Sequence, residues 1–88
     1  MLIASFAWDE GNLSHVARHR VDADEVEEAF LGRHHLFRTR DGRYILLGRS
    51  GIGRFLLVVF QWQEDAVVRT ITARDMTPAE KRLYRRKL

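Results

Sequence analysis

The chain has 88 residues, the length of one domain and too short for a two-halved dinucleotide-binding fold or a βα-barrel. It holds 15 Lys and Arg against 12 Asp and Glu, a net charge of +3, and no cysteine, which excludes disulfides, thiolate metal sites and cysteine nucleophiles. The longest apolar run, residues 55–60, is far below the roughly 20 residues of a membrane span, and no secretion signal is recognisable, so we expect a single cytoplasmic domain over residues 1–88.

A short strand and a helix are predicted at the start of the chain. Residues 2–8 have the pattern of a strand, and Asp9 is a suitable cap for a helix that begins at Glu10. Helical spacing then places three apolar side chains on one face and three polar side chains on another. The apolar face comprises Leu13, Val16 and Ala17, and the polar face comprises Asn12, His15 and His19.

A second helix is predicted over residues 23–31. Asp22 and Glu25 have the spacing of a capping box, and Gly32 is a residue that commonly ends a helix. The buried face of this helix is apolar and its other face is acidic.

The next part of the chain is predicted to be β-structure. Asp41-Gly42 favours a tight hairpin turn because it tolerates a positive φ. Residues 55–60 show no polar alternation, which is typical of a strand buried on both faces, so we expect this strand to be central. The predicted strands are residues 34–39, 43–48, 55–60 and 66–73.

A third helix is predicted at the C-terminus. Thr77 is an N-cap, Pro78 suits the first helical position, and Glu80 has the spacing to complete a capping box, in a helix that runs to about residue 86. The predicted fold class is therefore α+β, with two N-terminal helices packed on one side of an antiparallel sheet and a C-terminal helix.

Charge is unevenly distributed along the chain. Residues 1–32 hold two basic and seven acidic side chains, whereas residues 33–60 hold six basic side chains and one acidic side chain. Only two of the 15 basic residues are lysine, and guanidinium groups are well suited to phosphate contacts. This pattern predicts a surface for nucleic acid, although solvated arginines at strand edges would give the same composition.

Two local patterns resemble binding motifs, but neither is complete enough to predict a metal site or a phosphate-binding loop. His15 and His19 stand four residues apart on a helix, but a third metal ligand is missing nearby, so we expect no metal site. Residues 48–54 are glycine-rich, yet they lack the Gly-Lys-Ser/Thr ending and join two antiparallel strands, so a turn is expected. The sequence indicates no cofactor.

The remaining basic residues suit RNA cleavage without a metal ion. In that reaction a 2′-hydroxyl attacks the adjacent phosphate, and arginines stabilise the charge that grows on its oxygens. A proton acceptor and donor are also needed, for which His19, Glu27, Glu28 and Tyr84 are the available types. The basic array comprises Arg43, Arg49, Arg54, Arg69 and Arg74 on or beside strands, and Lys81, Arg82, Arg85 and Arg86 on the last helix, where a solvated helix face would look the same.

The last strand and helix carry the most specific resemblance to a known family. Residues 69–74 read Arg-Thr-Ile-Thr-Ala-Arg and are followed by a helix with Glu80 and Tyr84, which is similar to BrnT-type toxins. Other matching segments, in the same order and spacing, extend the resemblance over nearly the entire chain. They are residues 6–9, 17–21, 25–30, 47–50 and 53–60.

The resemblance implies a RelE-like fold and the toxin of a type II toxin–antitoxin pair, an enzyme that cleaves RNA without metal. It also implies a small cognate antitoxin, BrnA-like, that neutralises the enzyme. Arg20 stands where the family usually has glycine, which is expected to change how the first helix ends. The family's roles, carried over, assign catalysis to His19, Arg54 and Arg74 and RNA binding to Arg49, Arg69 and Tyr84.

Two other functions remain open at this point: a non-catalytic module that binds nucleic acid or a partner protein, and a toxin that poisons gyrase on the same scaffold. Open sheet edges favour self-association into a homo-oligomer or docking of the antitoxin. The catalytic hypothesis requires Arg54 and Arg74 to converge on one shared cleft.

Overall fold

The computed structural model describes residues 2–87, which form three helices, five strands and a short 3₁₀ turn, Glu64–Ala66. Within this range no helix is both long and apolar enough to cross a membrane. The strands are β1 (Ser5–Ala7), β2 (His34–Arg38), β3 (Tyr44–Arg49), β4 (Phe55–Gln63) and β5 (Val67–Asp75), and the helices are α1 (Glu10–Ala17), α2 (Ala23–Leu31) and α3 (Pro78–Lys87).

The five strands form one sheet in the order β1-β5-β4-β3-β2. The predicted α+β class and the central position of β4 are confirmed. One part of the prediction was wrong: β1 pairs with β5 in parallel, with Phe6 opposite Val68, so the sheet is mixed rather than wholly antiparallel. A three-residue strand carries no sequence pattern that encodes its direction, which depends instead on the crossover of the chain.

The helices cover opposite faces of the sheet. Successive side chains of β4 alternate between two apolar clusters, with Leu56 and Val58 in one and Phe55 and Leu57 in the other. We call these the α1–α2 face and the α3 face. The first cluster contains Val16, Val26, Ala29, Phe30, Leu46, Phe60, Val68 and Ala73, and the second contains Leu47, Met76 and Tyr84.

All three predicted helix caps are present, but α1 buries a residue that the sequence placed on its polar face. Asn12 is only 4% exposed, whereas Leu13 is 42% exposed. The Asn12 side chain donates from Nδ2 to the carbonyls of Ala7 (2.8 Å) and Thr70 (3.1 Å), and its Oδ1 accepts from the Asp9 N–H. These hydrogen bonds offset the cost of burying the amide, and they tie α1 to β1 and β5.

The turn between α1 and α2 is tight and left-handed. The N–H groups of Arg20 and Val21 donate to the carbonyls of Ala17 and Val16, the pair of bonds of a Schellman motif. Arg20 occupies the left-handed position with φ 59°. Glycine adopts this conformation without the penalty that a Cβ brings, so Arg20 introduces strain that glycine would relieve.

Candidate nucleic-acid interface

Arg54 lies directly before β4, and its side chain links four segments of the chain through hydrogen bonds. Its Nε and Nη2 donate to the two carboxylate oxygens of Asp75 (2.7 and 3.2 Å), and Nη1 donates to Glu25 (3.1 Å). Nη1 and Nη2 also donate to the carbonyls of Arg20 (2.6 Å) and His19 (3.1 Å). All five N–H donors of this guanidinium therefore have protein acceptors.

The contacts of Arg54 are charge-assisted and partly shielded from water. Its side chain is 22% exposed and that of Glu25 is 15% exposed. The hydrogen bond from Arg54 lowers the pKa of Asp75, and the same bond raises the pKa of Arg54 further above its usual range. Arg54 thus holds the α1–α2 turn and the start of α2 against the end of β5.

Arg74 forms a comparable link between segments of the chain on the other side of the sheet. Its Nη1 and Nη2 donate to the two carboxylate oxygens of Glu80 at 2.8 and 2.9 Å. Glu80 also accepts from the N–H of Thr77 at 2.8 Å, as the capping box of α3 requires. The bond from Arg74 lowers the pKa of Glu80, so the pair fastens the first turn of α3 to β5.

Arg54 and Arg74 do not share a cleft, so the predicted convergence of these two residues was wrong. Arg74 is flanked on β5 by Ala73 and Asp75, which face α1 and α2, whereas Arg74 itself faces α3. Alternation along a strand sends neighbouring side chains to opposite faces, and a carboxylate on a different helix binds each guanidinium. The sequence contains both arginines, but it does not indicate which carboxylate binds each guanidinium.

His19 and Arg69 lie on the α1 side of the molecule. The His19 side chain is exposed and stacks on His15, with ring centroids 6.5 Å apart. Arg69 forms an ion pair with Asp9 (Nη1–Oδ2 2.8 Å), and this contact lowers the pKa of that carboxyl group. Residues 2–87 contain no group of three His, Cys, Asp or Glu side chains placed to hold a metal ion.

Three cations surround the half-buried ring of Phe55 at the start of β4. The distances to the ring centroid are 4.7 Å from Arg49 Cζ, 5.4 Å from Lys81 Nζ and 5.2 Å from Arg85 Cζ. Within residues 2–87, none of the three forms an ion pair. We call this group, Arg49, Lys81 and Arg85 around Phe55, the Phe55 cation cluster.

The local structure explains why these three cations meet. Arg49 is the last residue of β3 and lies directly opposite Phe55 in the β3–β4 pairing. Lys81 and Arg85 are four residues apart on α3, so they occupy one face of the helix. The π-face of the ring attracts each cation, but it does not cancel their charge, and the cluster therefore attracts anions.

An open groove of about 650 Å³ adjoins the cluster and shares Arg49 with it. It lies between the end of α2, the turn from β3 to β4, and α3. Tyr84 lines the groove but is only 2% exposed, and its hydroxyl donates to the Arg33 carbonyl (3.1 Å). Of the six predicted site residues, the groove brings together only Arg49 and Tyr84. Glu28, Leu31, Arg33 and Gly51 also line it.

Comparison with known proteins identifies the family. Residues 8–80 match the family described as the ribonuclease toxin, BrnT, of type II toxin–antitoxin systems. The fold is similar to the 1.1 Å crystal structure of the Brucella abortus ribonuclease toxin BrnT, with a TM-score of 0.69 and 25% identity over 83% of this chain and 96% of that chain. No curated protein matches the sequence significantly. Because the family match covers most of its length, the chain belongs to the BrnT ribonuclease toxins of type II toxin–antitoxin systems.

Proposed function

We propose that this protein is an endoribonuclease that cleaves RNA without a metal ion and is held inactive by a cognate antitoxin. Membership of a ribonuclease toxin family supports the class of activity. The observation that carries the proposal is the Phe55 cation cluster, in which three cations that form no ion pair within residues 2–87 lie within 5.4 Å of one ring centroid. A cytoplasmic location, where RNA and an antitoxin meet the enzyme, goes with this proposal.

The cluster has the properties of a site for the RNA backbone. Proteins that bind single-stranded nucleic acid combine cations that follow the phosphates with aromatic rings close by. The guanidinium groups of Arg49 and Arg85 can each contact a phosphate through two N–H donors, whereas Lys81 acts as a point charge. Because Arg49 also lines the groove, a strand bound at the cluster continues into it.

Cations at this position can also contribute to catalysis. The 2′-hydroxyl loses its proton and attacks the phosphate, the bond from phosphorus to the 5′-oxygen breaks, and that oxygen takes up a proton. Negative charge increases on the non-bridging oxygens in the transition state. Cationic side chains beside the phosphate stabilise that charge, and a metal ion performs the same task in other nucleases. The proposed mechanism therefore assigns this task to Arg49 and Arg85.

We assign the remaining predicted residues as follows. His19 is the proposed proton-transfer group on the ground of the family resemblance, and its ring is exposed on the turn whose carbonyls Arg54 binds. Arg54 and Arg74 are positioning residues, since Arg54 fixes this turn and Arg74 fixes the start of α3. The polar groups of Arg69 and Tyr84 are engaged by Asp9 and by a backbone carbonyl, so these two residues shape the surface.

The activity is tested by incubating purified protein with RNA, with and without EDTA, and mapping the products by primer extension. Discrete cuts that persist in EDTA and disappear when the antitoxin is added support the proposal. Cuts that require a divalent ion contradict the metal-independent mechanism. Binding of RNA without any cleavage contradicts the enzyme assignment and favours a non-catalytic binding module.

The role of His19 is tested with His19→Ala and with His15→Ala, on the last turn of α1, as the matched control. We expect His19→Ala to lower the single-turnover cleavage rate more than the affinity for RNA, because proton transfer acts only in the reaction. His15→Ala should leave the rate unchanged. An equal loss of rate and affinity in His19→Ala would assign His19 to binding instead.

A further inference from the structure

The groove beside the Phe55 cation cluster is lined by groups of both charges. Among the lining residues in the range 2–87, Glu28 alone is acidic, whereas Arg33 and Arg49 are basic. No ion pair joins Glu28 to either guanidinium in the described part of the chain. The groove therefore presents a negative group and two positive groups that do not neutralise each other directly.

The Glu28 side chain is exposed, and one hydrogen bond orients its carboxylate. The N–H of Gly51 donates to Glu28 Oε1 at 2.9 Å. A Cβ at position 51 would lie 3.2 to 3.4 Å from three atoms of the carboxyl group, so glycine allows the turn to close against it. Oε2 accepts no hydrogen bond from residues 2–87 and is available to a ligand. An acceptor oriented in this way loses less entropy on binding.

The charges in the groove match the two parts of a nucleotide. Its volume of about 650 Å³ is ample for one nucleoside and its phosphate. A phosphate is repelled by Glu28 and attracted by Arg33 and Arg49, so it binds on the side of the Phe55 cation cluster. The carboxylate accepts hydrogen bonds only, and it therefore selects a base that presents donors.

Guanine is the base whose edge fits this acceptor. Its N1–H and N2 amino groups are adjacent donors, which match the two oxygens of one carboxylate. Adenine, cytosine and uracil have no two adjacent donors on this edge, so the second carboxylate oxygen would face an acceptor. We infer that the groove binds a guanine base of RNA through Glu28, with its phosphate on Arg33 and Arg49; this inference rests on the proposed function as a ribonuclease.

The test is calorimetric titration of the whole protein with the four nucleoside 3′-monophosphates. We expect the guanosine nucleotide to bind about tenfold more tightly than the other three, the discrimination typical of one good two-point contact to a base. Inosine 3′-monophosphate lacks the N2 amino group and should bind with intermediate affinity. Glu28→Gln keeps an acceptor for the Gly51 N–H but places an amide donor in the groove, so it should abolish the preference for guanosine.

Asp24→Asn is the matched control, since it removes the same charge one helical turn away on α2, and it should keep the preference. Equal affinities for the four nucleotides, or a preference that survives Glu28→Gln, would overturn the inference. That result would leave the proposed function intact, because RNA would still be cut, at all four bases. Selective binding of the guanosine nucleotide by a protein that never cuts RNA would support the base site and contradict the ribonuclease proposal instead.

Discussion

The guanidinium of Arg74 and the carboxylate of Glu80 form a two-point ion pair, with N–O distances of 2.8 and 2.9 Å. Arg74 is the last residue of β5 whose side chain faces α3, and Glu80 lies in the first turn of α3. The pair therefore fixes the start of the helix against the sheet. Lys81, the residue after Glu80, and Arg85, one turn beyond Lys81, contact Phe55. The pair thus connects a residue of the sheet to the proposed RNA surface.

Arg74→Ala should lower the free energy of unfolding by about 0.5–1 kcal/mol, a value limited by the 39% exposure of the Arg74 side chain. Urea denaturation measures this change. If Arg74 acts by positioning α3, Glu80→Gln should reduce RNA affinity in parallel with Arg74→Ala. If Arg74 instead contacts the phosphate, Glu80→Gln leaves the affinity unchanged or raises it, because it frees the guanidinium.

Arg54→Ala should be more destabilising, by about 2–3 kcal/mol, because it leaves the half-buried Glu25 and two carbonyls without their donor. Arg54→Lys should recover less than half of the loss, since an ammonium cannot reproduce five fixed donors. Arg43→Ala, on the exposed hairpin, is the control and should change stability by less than about 0.5 kcal/mol. Equal unfolding midpoints for Arg54→Ala and the control would contradict the role of Arg54 in holding these segments of the chain together.

Stability should fall in acid because of Asp75 and Glu80. The hydrogen bonds from Arg54 and Arg74 lower the pKa of these carboxyl groups in the folded protein. Their contribution is therefore complete above the ordinary pKa of about 4, and it is lost as the pH falls towards the lowered folded-state pKa.

Urea denaturation at pH 6, 5, 4 and 3 measures this acid dependence. Glu80→Gln should show a smaller decrease in the free energy of unfolding between pH 5 and pH 3 than the unmodified chain. Glu64→Gln, on the exposed 3₁₀ turn, should follow the unmodified chain. A stability that rises on acidification through this range would be the opposite of the expected sign.

Local patterns were sufficient to predict much of this fold. The capping boxes at Asp22 and Thr77 and the apolar run of β4 are encoded within a few residues, and each is found as expected. The burial of Asn12 was not predictable in this way, because it depends on the carbonyls of Ala7 and Thr70, which only the completed sheet brings together.

Arg20→Gly should raise the free energy of unfolding by about 0.5–1 kcal/mol, because the left-handed conformation at φ 59° is unfavourable for a residue with a Cβ. The Arg20 carbonyl that Arg54 contacts is retained in this variant. Arg18→Gly is the control: position 18 has a helical φ of −59°, so glycine there should lower stability instead. Thermal or urea unfolding distinguishes the two directions, and destabilisation by Arg20→Gly would show that the turn is not strained.

The candidate site was only partly visible in the sequence. The four-residue spacing of Lys81 and Arg85 can be read directly, and the excess of arginine predicted a basic surface. The position of Arg49 beside Phe55 depends on the strand register and on the turn between β3 and β4. Arg54 and Arg74 were equally prominent in the sequence, but the carboxylates that bind them come from distant segments of the chain or from the following helix.

The salt dependence of RNA binding tests the Phe55 cation cluster most directly. The probe is a single-stranded oligoribonucleotide that carries 2′-O-methyl groups, so that it binds without being cleaved. One triple variant changes the three cluster cations to glutamine, and a control triple variant changes three exposed arginines, Arg40, Arg82 and Arg86, to the same residue. We expect the cluster variant to bind the oligoribonucleotide at least about tenfold more weakly than the unmodified protein. The slope of log K against the logarithm of the salt concentration should be smaller in magnitude by about 2. The control variant should retain most of the affinity and most of the slope. Equal losses in the two variants would show that only net charge matters and would contradict a specific RNA site at Phe55.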